Sequence, residues 1–577
     1  MRHLILLLLT PLVAIATTTA NNRTLEQMRD FAATKLNRTT AVKGVTSKRV
    51  QPATLECVAD DDTYAVFTPG KGADGFVIVA KSDLVDPLIG YSTKRFNADD
   101  MPAALKWYLT TVSRHLTDIE NGLAKAPRRT AATFIPVENF VTTQWSQDYP
   151  FNQKTPSKYL SGCVATAMAQ CLNYRQYPAS VDFDGDYYVT KKVGKKETLV
   201  NQEEHVSTTY TWPYKDKYAS FGKYDDNIDE LLRDCGYATY MQYSEEGSGT
   251  STYLSGVALV DVFGYPEESV KYYEMDCFGN KDEWNQIVYD ELAFRSPIIY
   301  AAHDPSYEVG GHAFLFSGVD EEGLVYVNWG WRGSANGFYD IALLNPKNGG
   351  STDHYTDYQC MVTGIRPTPL PTDQIQTRIY GFTGDPYTFR WGTETDDNGE
   401  EHHTLYADIP YGLINYCPSS FVGVFGIFAE DLTDSTTWVI EEELQDRDTI
   451  PAGYGWCSTD ESYKAFGFYY YIDSEKGLKP GHTYRMSFGT KDDREGTWHS
   501  LLCFGGELAY DITYTGDPAT STVDPEVKYL TSAIHNLPAA VSDRHPAMDL
   551  WFDLSGRRVT QPSHGIYLRN GKKIVVR

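Results

Sequence analysis

The chain runs to 577 residues and sets 51 Lys and Arg against 77 Asp and Glu, a formal net charge of −26. So long a chain exceeds what one hydrophobic core can organise and predicts about three or four domains, while so negative a surface would be repelled by nucleic acid and by anionic membranes, which argues against both as partners. With 42 tyrosines and 14% aromatic residues, the composition leans towards β-structure and extracellular life.

Residues 1–20 place Arg2 and His3 ahead of an apolar run that ends in small residues at Ala20, which reads as a secretory signal. No other segment approaches the ~20 apolar residues of a spanning helix, so no membrane span is expected. Residues 21–130 read as a small α+β unit. GFVIVAK at 75–81 alternates as a strand does, and Leu105, Tyr108, Leu109, Val112, Leu116 and Ile119 share one helical face. The unit ends in AKAPRRT at 124–130, an exposed joint open to proteases. The region 131–366 mixes helices, one from Cys163 to 176 and one from Asn227, with later strands. It closes at RPTPLPTD, 366–373, whose prolines sustain neither helix nor central strand. From 374 to 518 short alternating runs between turns predict a β-sandwich, and 530–577 reads as two short β-hairpins. The nine cysteines show no CxxC spacing, which argues against zinc and against a dense disulfide framework.

The chemistry-bearing residues begin at 161–178, SGCVATAMAQCLNYRQYP, where Val164, Ala167, Met168, Cys171 and Leu172 form one apolar stripe. Cys163 then sits in the first turn of a helix, where unpaired N–H groups and the macrodipole favour a thiolate. Small residues before it, Ser161 and Gly162, leave room for approach to the sulfur. Further on, GGHAFLFSG starts at Gly310 and Gly311, carries His312 into an apolar strand, turns at 320–323 and returns on a strand bearing Asn328 and Trp329. A hairpin brings its far ends together, so His312 and Asn328 are expected neighbours, with the register left open. A thiolate beside an imidazolium attacks a carbonyl, and the imidazolium protonates the leaving amine. An Asn oxygen can hold the imidazole in the useful tautomer, and Trp329 can shelter that bond. The backbone N–H of Cys163 and the side chain of Gln147 are candidate donors to an oxyanion.

The stretches at 145–152, 162–170, 310–314 and 328–333 fall in one order that resembles the streptopain-like cysteine peptidases, family C10 of the papain-like clan, and among them the secreted members from Bacteroidetes. The order Cys, His, Asn and the gap from Cys163 to His312 suit a papain-like arrangement, in which His and Asn follow by ~130–150 residues. The resemblance covers about 40–366. It implies Cys163 as nucleophile, His312 as general base and acid, Asn328 as orienter and Gln147 as oxyanion donor, with a propeptide that holds the zymogen inactive through the His-bearing loop. SEEGSGT at 244–250 looks like the family's Gly-rich loop beside the cleft, which makes Gly247, Ser248, Gly249 and Gly311 the expected substrate-binding residues. The family also implies an apolar pocket for the residue two before the cut. Separately, 530–577 resembles the C-terminal sorting segment of Bacteroidetes cargo that leaves through the type IX outer-membrane secretion machinery, with a plain terminal hairpin as the alternative.

Other residues read more simply. Cys171 and Cys235 lie on apolar helical faces and are expected in the core. His303 is a rival general base without a following Asn-Trp strand. DFDGDYY at 182–188 reads as a solvated turn rather than a calcium loop, and EEHH at 400–403 as a polar surface turn. No metal or cofactor is expected. The sequence therefore predicts an α+β protein: signal peptide 1–20, inhibitory propeptide 21–130, papain-like peptidase domain 131–366, β-sandwich extension 374–518 and sorting-type segment 530–577. The expected function is a secreted cysteine endopeptidase made as a zymogen. It would hydrolyse protein or peptide substrates through a Cys163 thioester, with its own propeptide as intramolecular inhibitor. Two alternatives stand beside it: a papain-like acyl transferase such as a transglutaminase, and a surface adhesin whose peptidase-like domain is inactive.

Overall fold

The computed structural model describes residues 22–42, 49–70, 73–127, 134–193, 196–214, 227–278, 281–303, 311–344, 359–368, 379–381, 387–409, 413–415, 417–434, 436–441, 448–452, 455–456, 466–472, 477–494, 498–503, 506–526, 528–530, 551–553, 558–559, 565–569 and 572–576. The signal-like segment, the arginines of the joint after Pro127, Gly310 and most of the Pro-rich linker lie outside them. The protein is α+β.

After α1 (Leu25–Val42) come four antiparallel strands, β1 (Glu56–Asp60), β2 (Tyr64–Thr68), β3 (Phe76–Ala80) and β4 (Leu88–Ser92). Helix α2 (Ala103–Glu120) follows, and every residue predicted on its apolar face is buried. The peptidase region opens with α3 (Cys163–Arg175), β5 (Ser180–Val193), β6 (Lys196–Thr209), α4 (Ile228–Ala238), β7 (Gln242–Tyr243), β8 (Ser248–Gly249) and α5 (Thr252–Asp261). It continues through β9 (Lys271–Glu274), α6 (Lys281–Ala293), β10 (Ile298–His303), β11 (Gly311–Val319), β12 (Val325–Asn328), β13 (Gly337–Tyr339) and β14 (Gln359–Thr363). Ten of these strands make one sheet in the order β1-β2-β3-β4-β13-β12-β11-β10-β14-β9. The N-terminal unit thus extends the sheet of the peptidase region, joined where Gly90 faces Tyr339 and Tyr91 faces Phe338. A side chain at Gly90 would meet the Tyr339 ring at 2.7 Å, so the seam closes only around glycine.

Helices cover both faces of the sheet. On one side α2 lays Trp107 6.2 Å from Phe314 and Tyr108 6.1 Å from Trp329. On the other lies α3, whose Val164, Met168, Cys171 and Leu172 are buried with Cys235 of α4. The DFDGDYY stretch is not a turn: it is the first half of β5, paired residue by residue with β6. EEHH likewise starts a strand, Glu401–Ile409, just past a turn in which Asp396 accepts from the N–H of Asn398 and of Glu400. The strands at 551–553, 558–559, 565–569 and 572–576 form two hairpins joined in one sheet.

Beyond the linker two largely antiparallel sheets, one built on Phe421–Asp431 and His482–Asp492 and one on Thr388–Thr395, Glu401–Ile409 and Phe466–Tyr471, share a core that includes Phe389, Leu405, Phe425 and Phe488. This extension touches the peptidase region. The Tyr253 hydroxyl of α5 donates to the Cys417 carbonyl at 3.0 Å, and Pro418 closes over Gly256. Tyr253→Phe in the full chain is expected to lower unfolding stability by about 1 kcal/mol through loss of that bond. A chain ending after Arg366, where the acceptor is gone, is expected to ignore the substitution. Denaturant unfolding of the four proteins measures both.

Candidate active site

The start of α3 is built without a side-chain cap. Gly162 holds φ at +90°, and a Cβ there would sit 2.6 Å from the Met241 sulfur and 3.4 Å from the Ser248 carbonyl, so the turn admits only glycine. That close approach also sets the 244–250 loop against the head of the helix. The Ser161 N–H donates to the Gln147 carbonyl at 2.9 Å, which brings Gln147 to the same point. Cys163, Gln147, Thr166, Ala167, Gln170, Ala313, Phe314, Asn328, Trp329 and Gly330 line one small cleft.

Cys163 is a free thiol, partly exposed as a residue. Burial of its sulfur raises the thiol pKa, and backbone hydrogen bonds from Ala313, Val164 and Cys163 itself offset part of that rise. The backbone of β11 reaches the sulfur because β12 ends at Asn328, opposite Leu315. Residues 311–314 therefore run on past that partner.

The same register decides where His312 lies. Side chains alternate across a strand, so Ala313 and Leu315 share the face of Asn328, while His312, Phe314 and Phe316 take the other. His312 pairs with Ala302 of β10, and Phe314, two residues on, packs on Trp107 of α2 and also lines the Cys163 cleft. The structure thus brings Cys163, Gln147, Asn328 and Trp329 together around one cleft, with His312 on a strand that borders it. Asn328 is fully buried. Its amide N–H groups donate to the Thr143 carbonyl at 2.9 Å and to Gln170 Oε1 at 3.0 Å, and its oxygen accepts from the Gly330 N–H at 3.1 Å. Trp329 donates its ring N–H to the Ala335 carbonyl and packs on Phe314, Tyr108 and Tyr339.

Tyr243 pairs with Ser248 across a tight turn, and open space surrounds the Cα of Gly247 and Gly249. Gly311 is exposed and pairs with His303, whose side chain lies outside the described residues. Sequence reasoning missed Thr143 and Gln170. The available signal for Gln170 was a lone amide two turns after Cys163 on the same helical face.

From Trp145 through the cleft to Tyr339, residues 145–339 match the family model of the Peptidase C10 family, and the class this defines is the cysteine-type peptidases. Over 338 residues, 53% of the chain, the sequence is 30% identical to the thiol protease/hemagglutinin PrtT of Porphyromonas gingivalis, of which the match spans 37%. It is 27% identical to streptopain of Streptococcus pyogenes over 322 residues, 51% of the chain and 78% of streptopain. Among solved structures, a fragment of Prevotella intermedia prointerpain A is 30% identical, with 55% of the chain and 99% of the fragment covered and a TM-score of 0.44. Active interpain A cysteine protease from the same species is 33% identical over 42% of the chain and 98% of its own length, with a TM-score of 0.34. Through this segment the chain belongs to the streptopain-like cysteine peptidases of family C10.

Two outcomes follow from the site. Because burial favours the neutral thiol, Cys163 in the intact chain is expected to alkylate slowly with iodoacetamide at neutral pH and to speed up only above the range of an ordinary thiol. A full rate at neutral pH in the intact chain would reveal a preformed thiolate. Gly162→Ala forces both a strained backbone and a clash with Met241, and is expected to cost about 1–3 kcal/mol in denaturant unfolding.

Proposed function

We propose that this protein is a cysteine endopeptidase, exported and made as a latent precursor, that cleaves protein or peptide substrates. The observation that carries the reading is the cleft itself: a free thiol at the uncapped head of α3, with Gln147 and the buried Asn328 beside it. Cys163 Sγ attacks the scissile carbonyl carbon. The oxyanion takes hydrogen bonds from the Cys163 N–H and the Gln147 amide. His312, having received the thiol proton, gives it to the leaving amine, and water then hydrolyses the thioester with His312 as base. Asn328 orients the imidazole and Trp329 shields their bond. Gly247, Ser248, Gly249 and Gly311 border the substrate.

Latency is supported by the way the N-terminal unit is built into the sheet that carries His312. With residues 21–130 in place, β1 to β4 lengthen the sheet and α2 packs Trp107 against Phe314, two residues from His312. One residue of slip along β11 exchanges the two faces, and residues 311–314, past the end of β12, are where such a change costs least. Removing 21–130 by a cut between about 124 and 136 is the proposed trigger. Residues 1–20 serve export, and 530–577 serve passage through an outer-membrane machinery.

The test is processing and turnover of the full chain. Cys163→Ala and His312→Ala are each expected to lower kcat by about 10⁴-fold or more, with the double variant little worse; Asn328→Ala is expected to do less harm. Cys163→Ala protein should accumulate uncut and be cut when wild type is added. Self-processing by Cys163→Ala alone, or full activity of an uncut precursor, overturns the mechanism; cross-linked rather than cleaved product would mark an acyl transferase.

A further inference from the structure

A primary amide has two nearly identical ends with opposite hydrogen-bonding sense. If Asn328 is to serve His312, its oxygen must face the ring N–H; the reversed amide would present a donor to a donor. What fixes the sense is visible in the buried contacts. Both Asn328 N–H groups are engaged, one by the Thr143 carbonyl and one by Gln170 Oε1. Gln170 is itself an amide that can reverse, yet its oxygen also accepts the Thr143 hydroxyl at 2.8 Å and the Trp145 main-chain N–H at 3.4 Å. A main-chain N–H cannot change sense. The polarity runs from the Trp145 backbone to the Gln170 oxygen, from there to the Asn328 N–H, and leaves the Asn328 oxygen directed at the Gly330 N–H. Gln170 is 1% exposed, so bulk solvent does not compete for these bonds.

We propose that Gln170 is a positioning residue: it fixes the sense of the Asn328 carboxamide and so the acceptor offered to His312 in the active enzyme. This rests on the catalytic reading of Asn328 above. Gln170 also ties three segments together, because it stands on α3 behind Cys163, bonds to the strand end carrying Asn328, and holds the 143–145 stretch that leads to Gln147. Reversal of the Asn328 amide in its absence is still opposed by the Thr143 carbonyl and the Gly330 N–H. Loss of Gln170 is therefore expected to weaken catalysis rather than abolish it.

The experiment compares full-length variants brought to the active form in the same way as wild type. Gln170→Met removes the acceptor at similar volume and is expected to lower kcat about tenfold with KM little changed, since modest misplacement of a catalytic group costs rate. The imidazolium loses an acceptor, so the alkaline limb of the rate profile should move to lower pH. Gln170→Glu keeps an oxygen in place and should restore most of the rate. Thr143→Val, which removes only one donor to Gln170, should move the limb less and in the same direction. Combining Gln170→Met with Asn328→Ala should be no worse than Asn328→Ala alone. Wild-type kcat and pH profile in Gln170→Met, or losses that add in the double variant, overturn the proposal in favour of a packing role. If Gln170→Met does not fold, as cooperative melting reports, an unmoved limb in Thr143→Val overturns it instead. Wild-type turnover by Asn328→Ala fails the catalytic reading itself, which is a separate result.

Discussion

The side-chain alternation of β11 is the constraint on which the site depends. It sets Leu315 on the face of Asn328, and Phe314 where it both packs on Trp107 of α2 and lines the Cys163 cleft. The stretch that carries His312 lies beyond the last pairing with β12 and begins at an exposed glycine. Whatever stabilises the pairing of β10 with β11 therefore also holds His312 in place.

The N-terminal unit packs directly on this part of the sheet. Its α2 contributes Trp107 and Tyr108 to a cluster with Phe314, Trp329 and Tyr339, and the Tyr108 hydroxyl donates to the Asp340 carbonyl at 2.9 Å. Each such aromatic pair adds about 0.5–1.5 kcal/mol beyond the burial of its area. On the far edge of the unit Lys35 is buried against Glu322 at 2.6 Å and lies over the Tyr91 ring, whose hydroxyl donates to Asp320. Such contacts are those of one continuous core, and a simple nick in the chain would not dissolve them.

The helices and hairpin were legible because their periodicities are strong: the stripe from Val164 to Leu172 is buried, and β11 and β12 turn where Asp320 and Gly323 stand. The nearness of Cys163, Gln147 and Asn328 followed from motifs. The register of the hairpin did not, because pairing Leu315 rather than Phe314 with Asn328 changes no residue type. The hairpin of β5 and β6 escaped for another reason. It is largely solvated on both sides over its outer half, so its acidic and lysine-rich text carries no apolar alternation. Gln170 was hidden by the stripe around it, since a polar residue within an apolar run carries no mark of what it bonds to.

The distribution of thiols gives the molecule a built-in counter. Cys171, Cys235, Cys277, Cys360 and Cys417 are free and buried, whereas Cys57 and Cys163 keep some surface. Cys57 lies in β1, within the segment proposed to leave on maturation. Among the cysteines whose exposure the structure describes, a molecule shortened at its N-terminus would then keep one that is not buried as a residue, and it lies in the cleft. The buried five are shielded from oxidants by the same packing that keeps them apart from water, so mild oxidation would strike the cleft first and silence the protein while leaving its fold intact.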